Sequence, residues 1–440
     1  MLLLDLFYLL AIATLLPFLV WRSIRTGRYR SSLAGKLLGS FSAPNPFKKP
    51  VAWFHAVSVG EVNLLVTLVP AFRQRHPDWL VVVSATTDTG LAEARKLFRD
   101  LTVIPWPFDF TWSVNTALES VKPSLIVLTE SELWPNFLRA AKKRNVPVIV
   151  VNARMSPRSF VRLQRIAGLA RAFLFGNITR FAVQEKEYAD RLQQLGVPHS
   201  KLVVTGSVKY DGAKKERNTP KTAILRKLLG LGGPEPCSPG PVIWLAGSTH
   251  APEEEIVLRI YSQLSERFPQ LRLILVPRHP DRFEEVSRLI EQSGLTFIRR
   301  SRIKEPLFGM PDVVLLDTVG ELGAAWGLAD IGFTGGSLDG KRGGQSMIEP
   351  AGYAVPCVFG QHVWNFKDAA KRLVEVGGAV MVSDPVGLEI ELARLIADPE
   401  LRRQMGDAAQ ELVGKQQGAA SKTLDAIDAL LRPAYLSQAA

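Results

Sequence analysis

The feature that most constrains the fold is an alternation that runs through the chain twice. Short apolar, β-branched runs at 51–55, 80–84, 125–128, 148–151, 180–183 and 202–205 are separated by longer stretches of helical period, such as 61–75 and 91–99. Continuous apolar runs bounded by turn residues read as strands buried on both faces, and strands separated by helices pair in parallel. The pattern breaks at 214–240, a Lys-, Pro- and Gly-rich stretch in which Gly232-Gly233-Pro234-Glu235-Pro236 can continue neither a helix nor a central strand. It then restarts at 242–246, 271–276, 313–316, 331–334 and 355–359, and a helical segment covers 399–431. The expected class is α/β, with two Rossmann-like domains in tandem. Ligands of such sheets bind outside the strand carboxyl ends, so a cleft between the two domains is the expected site. The boundaries read as an apolar segment at 1–21, a basic segment at 22–50, an N-terminal domain at 51–213, a linker at 214–240, a C-terminal domain at 241–415, and a helix and tail at 416–440.

The N-terminus adds a second constraint. Residues 6–21 carry no charge, a run slightly shorter than the roughly 20 residues that cross a bilayer. Arg22, Arg25, Arg28 and Arg30 follow directly. A cleaved signal peptide has its basic residues before the apolar run. Basic residues after it place that side in the cytoplasm and add about 1 kcal/mol each against anionic lipid. The expectation is an N-terminal membrane-anchor helix, spanning or interfacial, with the domains facing the cytoplasm. The net charge of +12 favours an anionic partner. No aromatic-rich basic motif of an RNA-binding module is present, so membrane or phosphorylated substrate is favoured over nucleic acid. The two cysteines, Cys237 and Cys357, form no Cys-x-x-Cys pair, which argues against structural zinc.

Candidate chemistry sits just after the strands. His55-Ala56-Val57-Ser58-Val59-Gly60-Glu61 leads from a strand into a helix, where the dipole favours an anionic Glu61 and a carboxylate can serve as general base. First-turn electrostatics alone would also account for Glu61. Thr129-Glu130-Ser131-Glu132-Leu133-Trp134-Pro135-Asn136 places two carboxylates after a buried strand, either as functional groups or as part of a capping loop. In Thr205-Gly206-Ser207-Val208-Lys209-Tyr210-Asp211, Lys209 is either a phosphate ligand or a solvated lysine. The second domain offers Val276-Pro277-Arg278-His279-Pro280, Asp317-Thr318-Val319-Gly320-Glu321, Gly335-Gly336-Ser337, and Arg342-Gly343-Gly344-Gln345-Ser346-Met347-Ile348-Glu349-Pro350. Arginine suits phosphate, and glycine turns entering a helix can present N–H groups to one, although plain connecting turns look the same. There is no Gly-x-Gly-x-x-Gly after the first strand and no Gly-x-x-x-x-Gly-Lys-Ser/Thr, which disfavours dehydrogenase and P-loop chemistry. No Asp-x-Asp occurs, so the expected chemistry uses no metal and no cofactor.

Taken in order, these motifs, together with Asn152-Ala153-Arg154-Met155-Ser156 and Ser248-Thr249-His250, make the chain resemble the 3-deoxy-D-manno-oct-2-ulosonic acid (Kdo) transferases of lipopolysaccharide assembly. The resemblance runs from the N-terminal apolar segment to about residue 415. It implies a GT-B fold with an acceptor domain first and a donor domain second. It implies inverting transfer from CMP-Kdo to the lipid A precursor lipid IVA at the inner membrane. Residue by residue, it makes Glu61 the proton acceptor and Glu130 and Lys209 the groups that stabilise the transition state. Pro277, Arg278, Val319, Gly320, Glu321, Ser346, Met347, Ile348 and Glu349 become the CMP-binding segments. The family's His-Asn-Pro-Leu-Glu is Gln345-Ser346-Met347-Ile348-Glu349 here, which keeps the glutamate and changes what precedes it. A GT-B transferase or epimerase using a UDP-sugar would share the fold, as would an inactive membrane-bound protein that binds a sugar nucleotide.

Overall fold

In a computed structural model of the 440-residue chain, residues 4–10, 14, 33–42, 45, 48–130, 132–231 and 240–436 are described. The arginines at 22–30, Ser131 and the Gly- and Pro-rich residues 232–236 lie outside these residues. The chain folds into two compact units, Met1–Asp211 with Gln417–Ala440, and Gly212–Gln416.

The first unit is built on strands β1 (Val51–Ala56), β2 (Leu80–Ala85), β3 (Thr102–Pro105), β4 (Leu125–Thr129), β5 (Val148–Ala153), β6 (Arg180–Val183) and β7 (Leu202–Val204). They form one parallel sheet in the order β3-β2-β1-β4-β5-β6-β7. Chain direction across the sheet reverses between β1 and β4, so the loops that follow these two strands diverge and leave room for a ligand. Apolar clusters cover both faces, one around Trp53, Phe137 and Phe181 and the other around Phe54, Leu65 and Phe72. That double burial explains why the strands read as unbroken apolar runs.

The second unit repeats the plan with β8 (Val242–Thr249), β9 (Leu271–Pro277), β10 (Phe297–Arg299), β11 (Val313–Leu315), β12 (Ile331–Thr334), β13 (Cys357–Gly360) and β14 (Ala379–Val382). Its order is β10-β11-β9-β8-β12-β13-β14, again parallel, with the reversal between β8 and β12.

Two stretches differ from the sequence reading. The segment 214–240, read as a linker, carries the helix Pro220–Leu228. The Thr219 side chain accepts from the Thr222 N–H to start it, and Leu225 and Leu229 are buried against the second sheet. The end of the chain returns to the first unit. Ala420, Leu424, Ile427 and Leu431 of the helix Ala419–Leu436 join the apolar cluster around Phe54, and the Asp211 carboxylate accepts from the N–H groups of Gly418 and Ala420. Apolar matching at long sequence separation seats both segments on their sheets.

Of the anchor segment, residues 4–10 and 14 are described and are helical. Asp5 is buried and accepts at 3.0 Å from both the Thr111 N–H and the Asn136 Nδ2, while the Tyr8 hydroxyl donates to Asp109. Leu6, Phe7, Leu9 and Leu10 are exposed. Among the described residues, no helix is long and apolar enough to cross a membrane.

Candidate active site

In the first unit the loops after β1 and β4 bring three carboxylates together. Glu61 lies in the first turn of the helix Val59–Arg75. Its carboxylate accepts from the Val57 N–H at 2.9 Å and from the Thr129 hydroxyl at 2.6 Å. Burial pushes its pKa up to about 7. The two hydrogen bonds oppose that shift, and the negative charges of Glu130 and Glu132 add to it. The group is therefore half ionised near neutrality, which suits a general base. Gly60 is not demanded by the local backbone, since a Cβ there would meet only the Ser58 Oγ, at 3.9 Å.

Glu130 ends β4 with a left-handed φ of 56°, a conformation of the kind that is held in place at functional sites. Its carboxylate sits 3.1 Å from the Arg154 Nε and 3.5 Å from the Lys209 Nζ. Lys209 lies in the 3-10 turn Val208–Tyr210, which is held by the buried Asn152 side chain accepting from the Val208 N–H. Glu132 accepts from the Thr86 hydroxyl at 2.9 Å and lies 3.4 Å from the His55 ring. Burial raises Glu132, but His55 and Thr86 together hold it below the ordinary carboxylate range. His55 is itself fully buried and stacked on Trp106, and burial keeps its pKa low against the pull of Glu132. The two carboxylates of this loop thus have separate partners. The helix after them, Pro135–Lys143, is capped by neither. The Asp109 carboxylate does so instead, accepting from the Asn136 and Phe137 N–H groups.

In the second unit the corresponding strand ends converge on His250. It is buried, lies 5.2 Å from the His279 ring, and has Gln345 Nε2 at 3.3 Å. Burial first, and then the positive fields of Arg342, His279, Arg278 and Arg282, together lower its pKa to about 4. Such a concentration of positive charge around a neutral ring is a place for an anion. Arg278 is exposed at the end of β9, its N–H held by the Thr249 carbonyl. Its charge reaches Glu349, in the first turn of the helix Ile348–Gly352.

The glycine turn at 335–337 behaves differently from the sequence reading. Its N–H groups are not offered to a phosphate. The Glu253 carboxylate, fully buried, accepts from the N–H groups of Gly336, Ser337, Leu338 and His250 at 2.7 to 3.2 Å. The packing is close: a Cβ on Gly335 would fall 2.6 Å from the Ser248 carbonyl oxygen. Glu253 opens the helix Glu253–Arg267 with Glu254 and Glu255, so in sequence it looks like ordinary first-turn charge. Only the fold reveals its role.

Of the expected site residues, Glu61, Glu130 and Lys209 come together in the first unit. Arg278 and Glu349 share one field in the second. Pro277, Met347 and Ile348 are buried, which leaves their backbone as the part able to meet a ligand, while Ser346 is half-buried. Val319 is 80% exposed beside Gly320, whose φ is 90°, and Glu321 is bound to Arg300 and Thr318. The partners that sequence did not identify are Thr129 for Glu61, Arg154 for Glu130, and Glu253 for the glycine turn.

Residues 25–212 match the family model described as 3-Deoxy-D-manno-octulosonic-acid transferase (kdotransferase). A 3-deoxy-D-manno-octulosonic acid transferase from Haemophilus influenzae is 34% identical over 428 residues, 96% of each chain. One from Bordetella pertussis is 33% identical over 96% of this chain and 98% of its own. Among solved structures, a UDP-GlcNAc 2-epimerase from Neisseria meningitidis bound to UDP-GlcNAc superposes with a TM-score of 0.54 at 12% identity, over 87% of this chain and all of that one. A glycosyltransferase from Rickettsia africae gives 0.52 at 12%, over 88% and 99%. At that identity the structural likeness shows the fold alone, two parallel-sheet α/β domains with GT-B-like neighbours.

Proposed function

Because the chain belongs to the 3-deoxy-D-manno-octulosonic acid (Kdo) transferase family, we propose that it transfers Kdo from CMP-Kdo to the lipid A precursor lipid IVA, with inversion and with Glu61 as general base. The observation that carries the reading is a buried carboxylate near neutrality, fixed at the point where the first sheet reverses. In the reaction a hydroxyl of the acceptor gives its proton to Glu61. Its oxygen bonds to the anomeric carbon of Kdo, and the bond from that carbon to the CMP oxygen breaks, with its electrons leaving on CMP. Glu130, flanked by Arg154 and Lys209, stabilises the charge that develops. Arg278 and the positive field around His250 receive the single phosphate of the nucleotide without a metal. Ser346 to Glu349 and Val319 to Glu321 complete the CMP site.

The catalytic units stand at the cytoplasmic face of the inner membrane. Asp5 and Tyr8 hold the start of the chain on the first unit, and Leu6, Phe7, Leu9 and Leu10 face outward, an arrangement that suits a segment lying in the interface.

The decisive test is a transfer assay with CMP-Kdo and lipid IVA in excess EDTA, with products read by mass spectrometry. Addition of Kdo to lipid IVA is expected, and the absence of that product would end the proposal. Activity restored only by a divalent cation would remove its metal-free part. In the same preparation, CMP is expected to raise the thermal midpoint more than UDP, because a ligand that binds only the folded state stabilises it. Arg278→Ala is expected to weaken CMP by about 10- to 100-fold, the range for a hydrogen bond to a charged group. A midpoint shift unchanged by that substitution would take Arg278 out of the donor site.

A further inference from the structure

Within the first unit, against the helix Pro157–Gln164 and the end of the helix Ala167–Phe173, lies a cavity of about 290 Å³. Its walls include Leu133, Leu163, Leu174, Phe181 and Leu192, and Glu130, Arg154 and Arg162 also line it. Interiors are normally filled to crystal-like density, so an unfilled space walled by these apolar side chains has room for a ligand. The first of the two helices has no fully buried residue. Val161, Ile166, Leu169 and Phe173 of this arm are exposed, so the arm shows apolar surface outward while Leu163 packs inward. A cavity with an apolar wall, the exposed Arg162 guanidinium beside the Glu130–Arg154 pair, and an incompletely packed apolar arm along it matches an amphiphile with an anionic group next to a hydrocarbon chain.

We propose that this cavity receives one acyl chain of the lipid acceptor, with an anionic group of the same molecule held by Arg162. The inference rests on the acceptor reading above and deepens it. Glu130 lines the cavity, so seating the chain there places the acceptor's sugar beside the carboxylates of the active site. Acyl length would then be read by the depth of the cavity.

The test fills the space. Leu163→Trp, at a half-buried position, is compared with the enlarging Leu163→Ala, using the full-length protein in mixed micelles. Burying two methylene groups is worth about tenfold in affinity. Leu163→Trp is therefore expected to raise KM for lipid IVA by about tenfold or more, leave KM for CMP-Kdo unchanged, and leave turnover of the de-acylated acceptor unchanged. Leu163→Ala should spare lipid IVA. Equal effects of Leu163→Trp on the acylated and de-acylated acceptors would overturn the proposal. Saturable binding of radiolabelled myristate gives a readout independent of transfer. It should be lost in Leu163→Trp, weakened in Arg162→Ala and kept in Leu163→Ala. If myristate binds the wild type and Leu163→Trp alike, or neither, the cavity is not a chain site. If myristate behaves as expected but no acceptor is turned over, the acceptor reading fails while the chain site stands.

Discussion

Glu61→Gln is expected to fold as the wild type does and to lose transfer by about 100- to 10,000-fold, the contribution of a positioned acid–base group. The glutamine carbonyl oxygen can still accept from the Val57 N–H and the Thr129 hydroxyl, so the turn after β1 keeps both hydrogen bonds. What disappears is the ability to take a proton. The pH profile carries the same signature. The carboxyl is raised to about 7, so its base form predominates above that pH and its acid form below it. For the wild type, kcat/KM should level off above pH 7 and fall about tenfold per unit below it. The residual activity of the variant should show no such limb. CMP release with lipid acceptor, followed from pH 5.5 to 8.5 (a range of about three units spanning the raised carboxyl), reads both effects. Wild-type turnover by Glu61→Gln would remove the group from the mechanism.

The second large effect is expected at a residue that touches no substrate. Glu253→Ala removes one acceptor and leaves four N–H donors, from His250, Gly336, Ser337 and Leu338, in a buried turn. Unsatisfied buried donors cost about 1–3 kcal/mol each before relaxation, so a loss of at least about 3 kcal/mol is expected. For a unit of this size that lowers the thermal midpoint by about 6–12 °C. Glu253→Gln should fall between the two, because one carbonyl oxygen remains while the amide group faces the N–H donors it cannot satisfy. The turn lies against His250 and Gln345, so affinity for CMP should drop along with stability. Calorimetry with and without CMP separates the two contributions. A midpoint unchanged in Glu253→Ala would mean that the turn does not depend on this carboxylate.

Much of the architecture was legible because the sheets are parallel and covered on both faces. Burial on both faces turns a strand such as 125–128 into an unbroken apolar word, and the helices between strands impose their own period. The strands that escaped, β3, β10 and β14, are at the sheet edges, three or four residues long and only partly buried, so they form no apolar run long enough to stand out. The start of the helix Pro220–Leu228 was hidden by its setting among Lys, Pro and Gly, although Thr219 and Pro220 are an ordinary cap and first-turn pair.

The amino-acid order alone determined where each chemical group sits relative to its strand, because side chains that follow a parallel strand must emerge at its carboxyl end. Hence Glu61, Glu130, Lys209 and Arg278 could be named before any coordinates. The charge state of Glu61 and the partners of these groups were decided only by the tertiary structure. Glu61 near neutrality needs burial and the neighbouring charges of Glu130 and Glu132. Glu130 needs Arg154 and Lys209, which lie 24 and 79 residues away in sequence, as their numbers show. The glycine turn at 335–337 looked able to hold a phosphate until Glu253, 83 residues from Gly336, was found to occupy its N–H groups. Desolvation and long-range hydrogen bonding depend on what the folded chain brings within a few ångströms, and that information is spread over the whole sequence.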